Sequence, residues 1–144
     1  METKAETSAD EVLIRKLIEN WARAVRNEDI AGILADHSED MLLFDVPAPV
    51  RSKGIDAYRK SWESLFFPWF KGSGVFDLSG LDVCAGDKTA FATCLIHCMG
   101  TGGAAGKEEL NVRLTIGLRK AEGRWIVVHE HHSVPDPSAS PAGS

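Results

Sequence analysis

Along the first half of the chain, apolar residues recur every three or four positions, and along the second half every two, so helices come first and strands follow. Leu13, Leu17, Trp21 and Ala24 or Val25 form one stripe, which predicts a first helix ending near Asn27. Ser8 with Glu11 three residues later makes a capping box that opens it. Asp29 caps a second, shorter helix carrying Ile30, Ile33 and Leu34, and the short break between the two predicts a helical hairpin. Residues 41–45 read as a short strand stopped by Val46, Pro47, Ala48 and Pro49, where the prolines remove amide donors. A third helix starts near Gly54, carries Ile55, Tyr58, Trp62 and Leu65 or Phe66 on its apolar face, and ends at Pro68. Strands are then predicted over 75–85, 89–100, 108–120 and 124–134. Tight turns at Gly86-Asp87-Lys88 and Glu122-Gly123 and a longer loop over 100–106 separate them. Helices followed by a meander give an α+β plan, with three helices packed on a strongly curved antiparallel sheet.

The chain of 144 residues, 44% of them hydrophobic, suits one domain, assigned to 9–135 between polar tails at 1–8 and 136–144. A formal charge of -5 argues against a nucleic-acid partner, because neutralising phosphates needs a basic face. The apolar runs fall far short of the roughly 18 residues of a membrane helix. The polar, acidic start has no apolar export segment, so a cytoplasmic location without a membrane partner is expected. Cys84, Cys94 and Cys98 are odd in number and sit in predicted strands, which reads as free thiols in a reducing compartment.

Candidate chemistry concentrates in the last strand, where His129, Glu130, His131 and His132 follow Trp125, Ile126, Val127 and Val128. Ionisable groups at the end of a strand built for burial need partners, water or a ligand. His129 and His131 share one face and could pair on a metal, but no third ligand is indicated, so neither a metal nor another cofactor is expected.

The Asn27-Glu28-Asp29 helix break, Ser52-Lys53-Gly54-Ile55 opening the third helix, and the ending from Glu122-Gly123-Arg124-Trp125 to His129-Glu130-His131-His132-Ser133 carry a family resemblance. Over about residues 9–135 the chain resembles the nuclear-transport-factor-2-like superfamily, which includes ketosteroid isomerase, SnoaL-like cyclases and the association domain of calmodulin-dependent kinase. The ending is most similar to the SnoaL-like and kinase-association members. The resemblance implies a cone-shaped fold with a deep pocket between helices and sheet, usually in a homodimer.

It also implies roles for particular residues. Asp45 ends the short strand where ketosteroid isomerase carries its proton-abstracting Asp, and a partly desolvated carboxylate there is a usable base; alternatively Asp45 caps the turn before Pro47. The isomerase's oxyanion-hole Tyr and protonated Asp are replaced by Trp21 and Thr115, which makes steroid isomerisation a poor fit. With Thr115 inward, Arg113 is inward too and could anchor an oxyanion or pair with Asp45 or Glu130. The resemblance likewise turns Phe91, Thr93, Leu95, His97 and Met99 inward on their strand, and Glu130 and His132 inward on the last. Trp62 and Phe66 would contact a flat ligand, or serve only as core. The expected site is therefore catalytic Asp45, His97 and His132 with substrate-binding Trp21, Trp62, Phe66, Arg113, Thr115 and Glu130. Two functions fit. One is a SnoaL-like isomerase, cyclase or hydratase acting on a carbonyl-containing small molecule; the other is a non-catalytic ligand-binding or oligomerising module resembling the kinase association domain.

Overall fold

The computed structural model describes residues 4–138; of the expected tails, 1–3 and 139–144 lie outside the described residues. Helix α1 spans Lys4–Arg26 and α2 spans Ile30–Leu34, joined by a break in which the Asp29 carboxylate accepts from the Gly32 amide at 3.1 Å, as an N-cap should. Ser8 lies inside α1 instead of opening it, because the good helix formers Ala5 and Glu6 let the helix propagate past it. The buried stripe of α1 is Ile14, Ile18, Trp21, Ala22 and Val25, while Leu13 is 55% exposed. Both 13/17 and 14/18 are apolar pairs, so periodicity alone leaves the rotation of the helix open by one position.

The third helical region begins with α3 (Ile55–Lys60) and does not end at Pro68. It widens into a π-helical segment over Ser61–Phe66, where the Phe67 amide bonds to the Trp62 carbonyl five residues back, and finishes as α4 (Phe67–Phe70). The wide turn relieves the clash between a proline ring and the preceding turn, so the helix passes through Pro68. Lys71, at a φ of 51°, closes α4 in the left-handed conformation.

Six strands follow or interleave: β1 (His37–Phe44), β2 (Ser52–Lys53), β3 (Phe76–Ala85), β4 (Thr89–Gly103), β5 (Gly106–Ala121) and β6 (Arg124–Ser133). They form one sheet in the order β2-β1-β6-β5-β4-β3. All pairs are antiparallel except β1 with β6, so the expected antiparallel sheet is in fact mixed. The loop expected over 100–106 is largely strand: β4 and β5 continue to Gly103 and Gly106, leaving a tight turn at the tip. Glycine is required along that tip. A Cβ on Gly100 would stand 2.4 Å from the Trp69 ring, and one on Gly102 would stand 1.8 Å from the Pro68 carbonyl oxygen. The absence of side chains lets α4 press onto β4.

The core lies between the helices and the inner face of the sheet. On β4 that face is Ala92, Cys94, Ile96 and Cys98, and on β5 it is Val112, Leu114, Ile116 and Leu118. The inward rows expected from the resemblance are thus reversed on both strands: Phe91, Leu95, Arg113 and Thr115 face outward. The clean apolar row of β5 has to be covered, and the helices cover it.

Candidate active site

One bulge brings the ionisable end of β6 inside. Opposite β6, Gly117 pairs with His129 and Leu118 with Val127, so Val128 is the extra residue. Trp125 and Val127 before the bulge, and Glu130 and His132 after it, therefore bury on the same face despite their opposite parity. On β1 the His37 ring is buried on the same side as Met41 and Leu43, and the register shift between His37 and Leu42 in the β1–β6 ladder leaves that side unchanged.

These rings converge on Glu130, which is only 1% exposed. Its Oε2 accepts from His37 Nε2 at 2.7 Å and from the Tyr58 hydroxyl at 2.8 Å, and its Oε1 accepts from His132 Nε2 at 2.8 Å. Behind them, Trp21 Nε1 donates to the Tyr58 oxygen at 2.9 Å, and His37 Nδ1 lies 2.9 Å from the Ala35 carbonyl oxygen. The Trp62 N–H lies near the same phenol oxygen without reaching hydrogen-bond geometry.

Burial alone would favour a neutral Glu130, but the hydrogen bonds and charges of His132 and His37 outweigh it and hold the carboxyl down at about 2. For both rings burial disfavours charge, yet the Glu130 carboxylate raises each above the ordinary 6.5, with Asp36 adding to His37 and Asp45 to His132. Burial and the neighbouring Glu130 charge push the Tyr58 hydroxyl well above its ordinary 10.0, so it remains a donor.

In front of this network lies a cavity of about 300 Å³. The π-helical segment and α4 supply Trp62, Leu65, Phe66 and Trp69 to its wall; the sheet supplies Leu43, Phe76, Ile96, Cys98, Leu110 and Val112. Asp45, Ser61 and His132 are its polar side chains, apart from the thiol of Cys98 and the indoles. Trp69 in this wall is held by its indole N–H, which donates to Glu108 at 2.8 Å.

The expected site residues divide accordingly. Asp45, His132, Trp62 and Phe66 line the cavity. Glu130 is the buried partner of His132, and Trp21 is a core residue that orients Tyr58; neither lines the cavity. His97 is on the outer face beside Glu109 at 3.2 Å, Arg113 is outside and donates to Ser133 at 3.0 Å, and Thr115 is exposed two residues further along the same face of β5. The Asp45 carboxylate also accepts from the Val46 amide at 2.8 Å, so its turn-capping role is real alongside its place in the wall. His129 packs against Phe44 with its Nδ1 2.8 Å from the Leu42 carbonyl oxygen, and among the described residues no group of three or more His, Cys, Asp or Glu is placed to hold a metal.

Sequence reasoning passed over His37 and the hydroxyl of Tyr58. His37 sits in the polar run Asp36-His37-Ser38-Glu39-Asp40, which reads as a loop. Its parity with Met41 and Leu43, both buried, was the available signal.

A curved sheet enclosing a cavity against three helical regions is the architecture of the nuclear-transport-factor-2-like class. The SnoaL-like domain model matches residues 14–137, and the chain belongs to that family. A nuclear-transport-factor-2-like protein of unknown function from Pseudomonas putida KT2440 is similar at 33% identity, with 96% of this chain and 93% of that one covered and a TM-score of 0.73. A ketosteroid isomerase-like protein from Erwinia carotovora atroseptica shares the fold at 19% identity, covering 88% and 96%, with a TM-score of 0.70. So does a protein from Streptomyces avermitilis described as a candidate dehydratase of the nuclear-transport-factor-2-like family, at 13% identity, covering 90% and 98%, with a TM-score of 0.75. No curated protein matches the sequence. No helix among the described residues is long and apolar enough to cross a membrane.

Proposed function

We propose that this protein binds an uncharged, largely apolar small molecule bearing a carbonyl and catalyses cofactor-independent proton transfer on it. The observation that carries this reading is that Asp45 and His132 both line a cavity whose wall is aromatic and aliphatic apart from Ser61 and Cys98. Asp45 takes a proton from the carbon beside the carbonyl, and His132, oriented by Glu130, gives one to the carbonyl oxygen, forming an enol. Returning the proton to another carbon gives an isomer; expelling a β-hydroxyl as water gives a dehydration. With Arg113 outside, no guanidinium lines the cavity to anchor a carboxylate, so a neutral ligand is favoured. A cavity of about 300 Å³ suits one or two rings.

The test is deuterium exchange at the α-carbon of a panel of one- and two-ring aryl ketones, followed by NMR. Wild-type protein should accelerate exchange, and Asp45→Asn should lose roughly 100-fold or more while ligand affinity holds. Binding without exchange by the wild type would instead support a non-catalytic ligand-binding module, a reading favoured by the structural bond from Asp45 to the Val46 amide. A homodimer is also proposed, on the outer row of β4, where Phe91 is 53% and Leu95 55% exposed; a monomer at micromolar concentration in sedimentation would dismiss it.

A further inference from the structure

The buried half of the site contains one more imidazole than an orienting carboxylate needs. Glu130 could orient His132 alone; instead its other oxygen is occupied by His37 and Tyr58. The contacts of His37 define its protonation. Nδ1 faces the Ala35 carbonyl oxygen at 2.9 Å and Nε2 faces Glu130 at 2.7 Å, and both partners are acceptors while Glu130 is ionised. Each nitrogen must then carry a hydrogen, because removing either would leave a lone pair facing an oxygen in a buried site. His132 is different: its Nε2 is committed to Glu130, but it lines the cavity and the remaining nitrogen has no acceptor that demands a proton.

We propose that His37 is a positioning residue: as a standing imidazolium it compensates the charge of Glu130, leaving His132 as the ring that exchanges its second proton with the cavity. Glu130 and His37 form a pair of zero net charge, so His132 is oriented by a carboxylate without being locked as a cation by it. Without His37, His132 would be left to compensate Glu130 and would hold its second proton more tightly, making it a poorer acid toward the carbonyl oxygen. The other groups facing the cluster do not replace His37. Tyr58 from α3 and the Trp21 indole from α1 are neutral donors, Asp36 before β1 and Asp45 after it are anions, and the residue that caps α2 contributes the Ala35 carbonyl. His37 and His132 titrate as a coupled pair through the carboxylate they share.

This inference rests on the proposed role of His132 toward the cavity, but its test reads ionisation directly and needs no substrate. Protein labelled with ¹⁵N in its histidines is titrated by NMR, with the five rings assigned through single substitutions. In the wild type at neutral pH, both ring nitrogens of His37 should show imidazolium shifts, and His132 should be the first of the two to lose a proton as pH rises. His37→Gln, which keeps one donor toward Glu130 but removes the charge, should raise the His132 midpoint by about one pH unit or more, a roughly tenfold gain in proton affinity. Tyr58→Phe, removing a neutral donor, should shift it less. A neutral His37 in the wild type overturns the proposal even if His37→Gln does not fold. An unmoved His132 midpoint in a folded His37→Gln also overturns it, because a merely structural role would cost stability and leave that midpoint in place. If exchange chemistry fails in the ketone assay while these midpoints behave as stated, the catalytic reading falls and the charge arrangement stands.

Discussion

His132 Nε2 stands 2.8 Å from Oε1 of Glu130, two residues earlier on the same strand and on the same inward face. Spacing by two puts the donor and its orienting carboxylate on one side of β6 without help from another element. The remaining oxygen can then be bound by β1 and α3, which joins three separate stretches of chain through one carboxylate.

Replacing that carboxylate should therefore be costly. Glu130→Gln preserves volume but removes the anion bonded to both buried rings, and we expect a loss of about 3–5 kcal/mol in urea unfolding at pH 7. A loss below about 1 kcal/mol would mean that the cluster contributes little to the fold.

Stability should fall on both sides of a mid-pH maximum. The Glu130 pKa is depressed from 4.5 to about 2 in the folded state, so its contribution is present above pH 4.5 and disappears as pH falls towards 2. His37 and His132 are raised above 6.5, so their contribution is full below pH 6.5 and is lost as pH climbs through their folded values. Thermal melts across pH 3–9 should show this dome. In Glu130→Gln the alkaline limb should flatten, since the rings lose the charge that raises them.

The three thiols should separate cleanly. Cys84 is exposed, whereas burial pushes the thiols of Cys94 and Cys98 up to about 11. One equivalent of an aromatic disulfide reagent should react at neutral pH under native conditions, and the other two only after unfolding. Fast native labelling of Cys98, which lines the cavity, would show that the cavity opens far more readily than its packing implies.

The contact between α4 and the β4 tip should tolerate no added atom. Gly102→Ala places a methyl group 1.8 Å from the Pro68 carbonyl oxygen, and backbone on both sides can yield only by moving α4. We expect about 3 kcal/mol of destabilisation and a change in ligand affinity, because the displaced segment carries Trp69 of the cavity wall. Trp69→Phe, which loses the bond to Glu108 but keeps the ring, should cost only about 1 kcal/mol. Equal losses for the two variants would argue against close packing at the tip.

The elements themselves were legible because their signals are local. Asp29 caps α2 through its own side chain, and alternation in β4 and β5 depends on neighbouring residues. Pro68 misled for the same reason: a proline's local penalty is readable, but the π-helical turn that absorbs it is cooperative over a full turn of helix. The choice of inward face on β4 and β5 depended on which row the helices cover, and transferring it by resemblance placed His97, Arg113 and Thr115 inside when they are outside.

By itself, the sequence determined an α+β chain of helices then strands, with Asp45 at the end of a short strand; the inward side of Glu130 and His132 followed from the family resemblance, since alternation from Trp125 and Val127 would turn His129 and His131 inward instead. Tertiary structure decided that His37 and Tyr58 meet Glu130, and that Trp21 supports them from behind. The physical reason is that these contacts join residues far apart in sequence, and that the extra residue Val128 reverses the phase of the side chains beyond it on β6; such a residue is set by pairing between strands, which local periodicity does not encode.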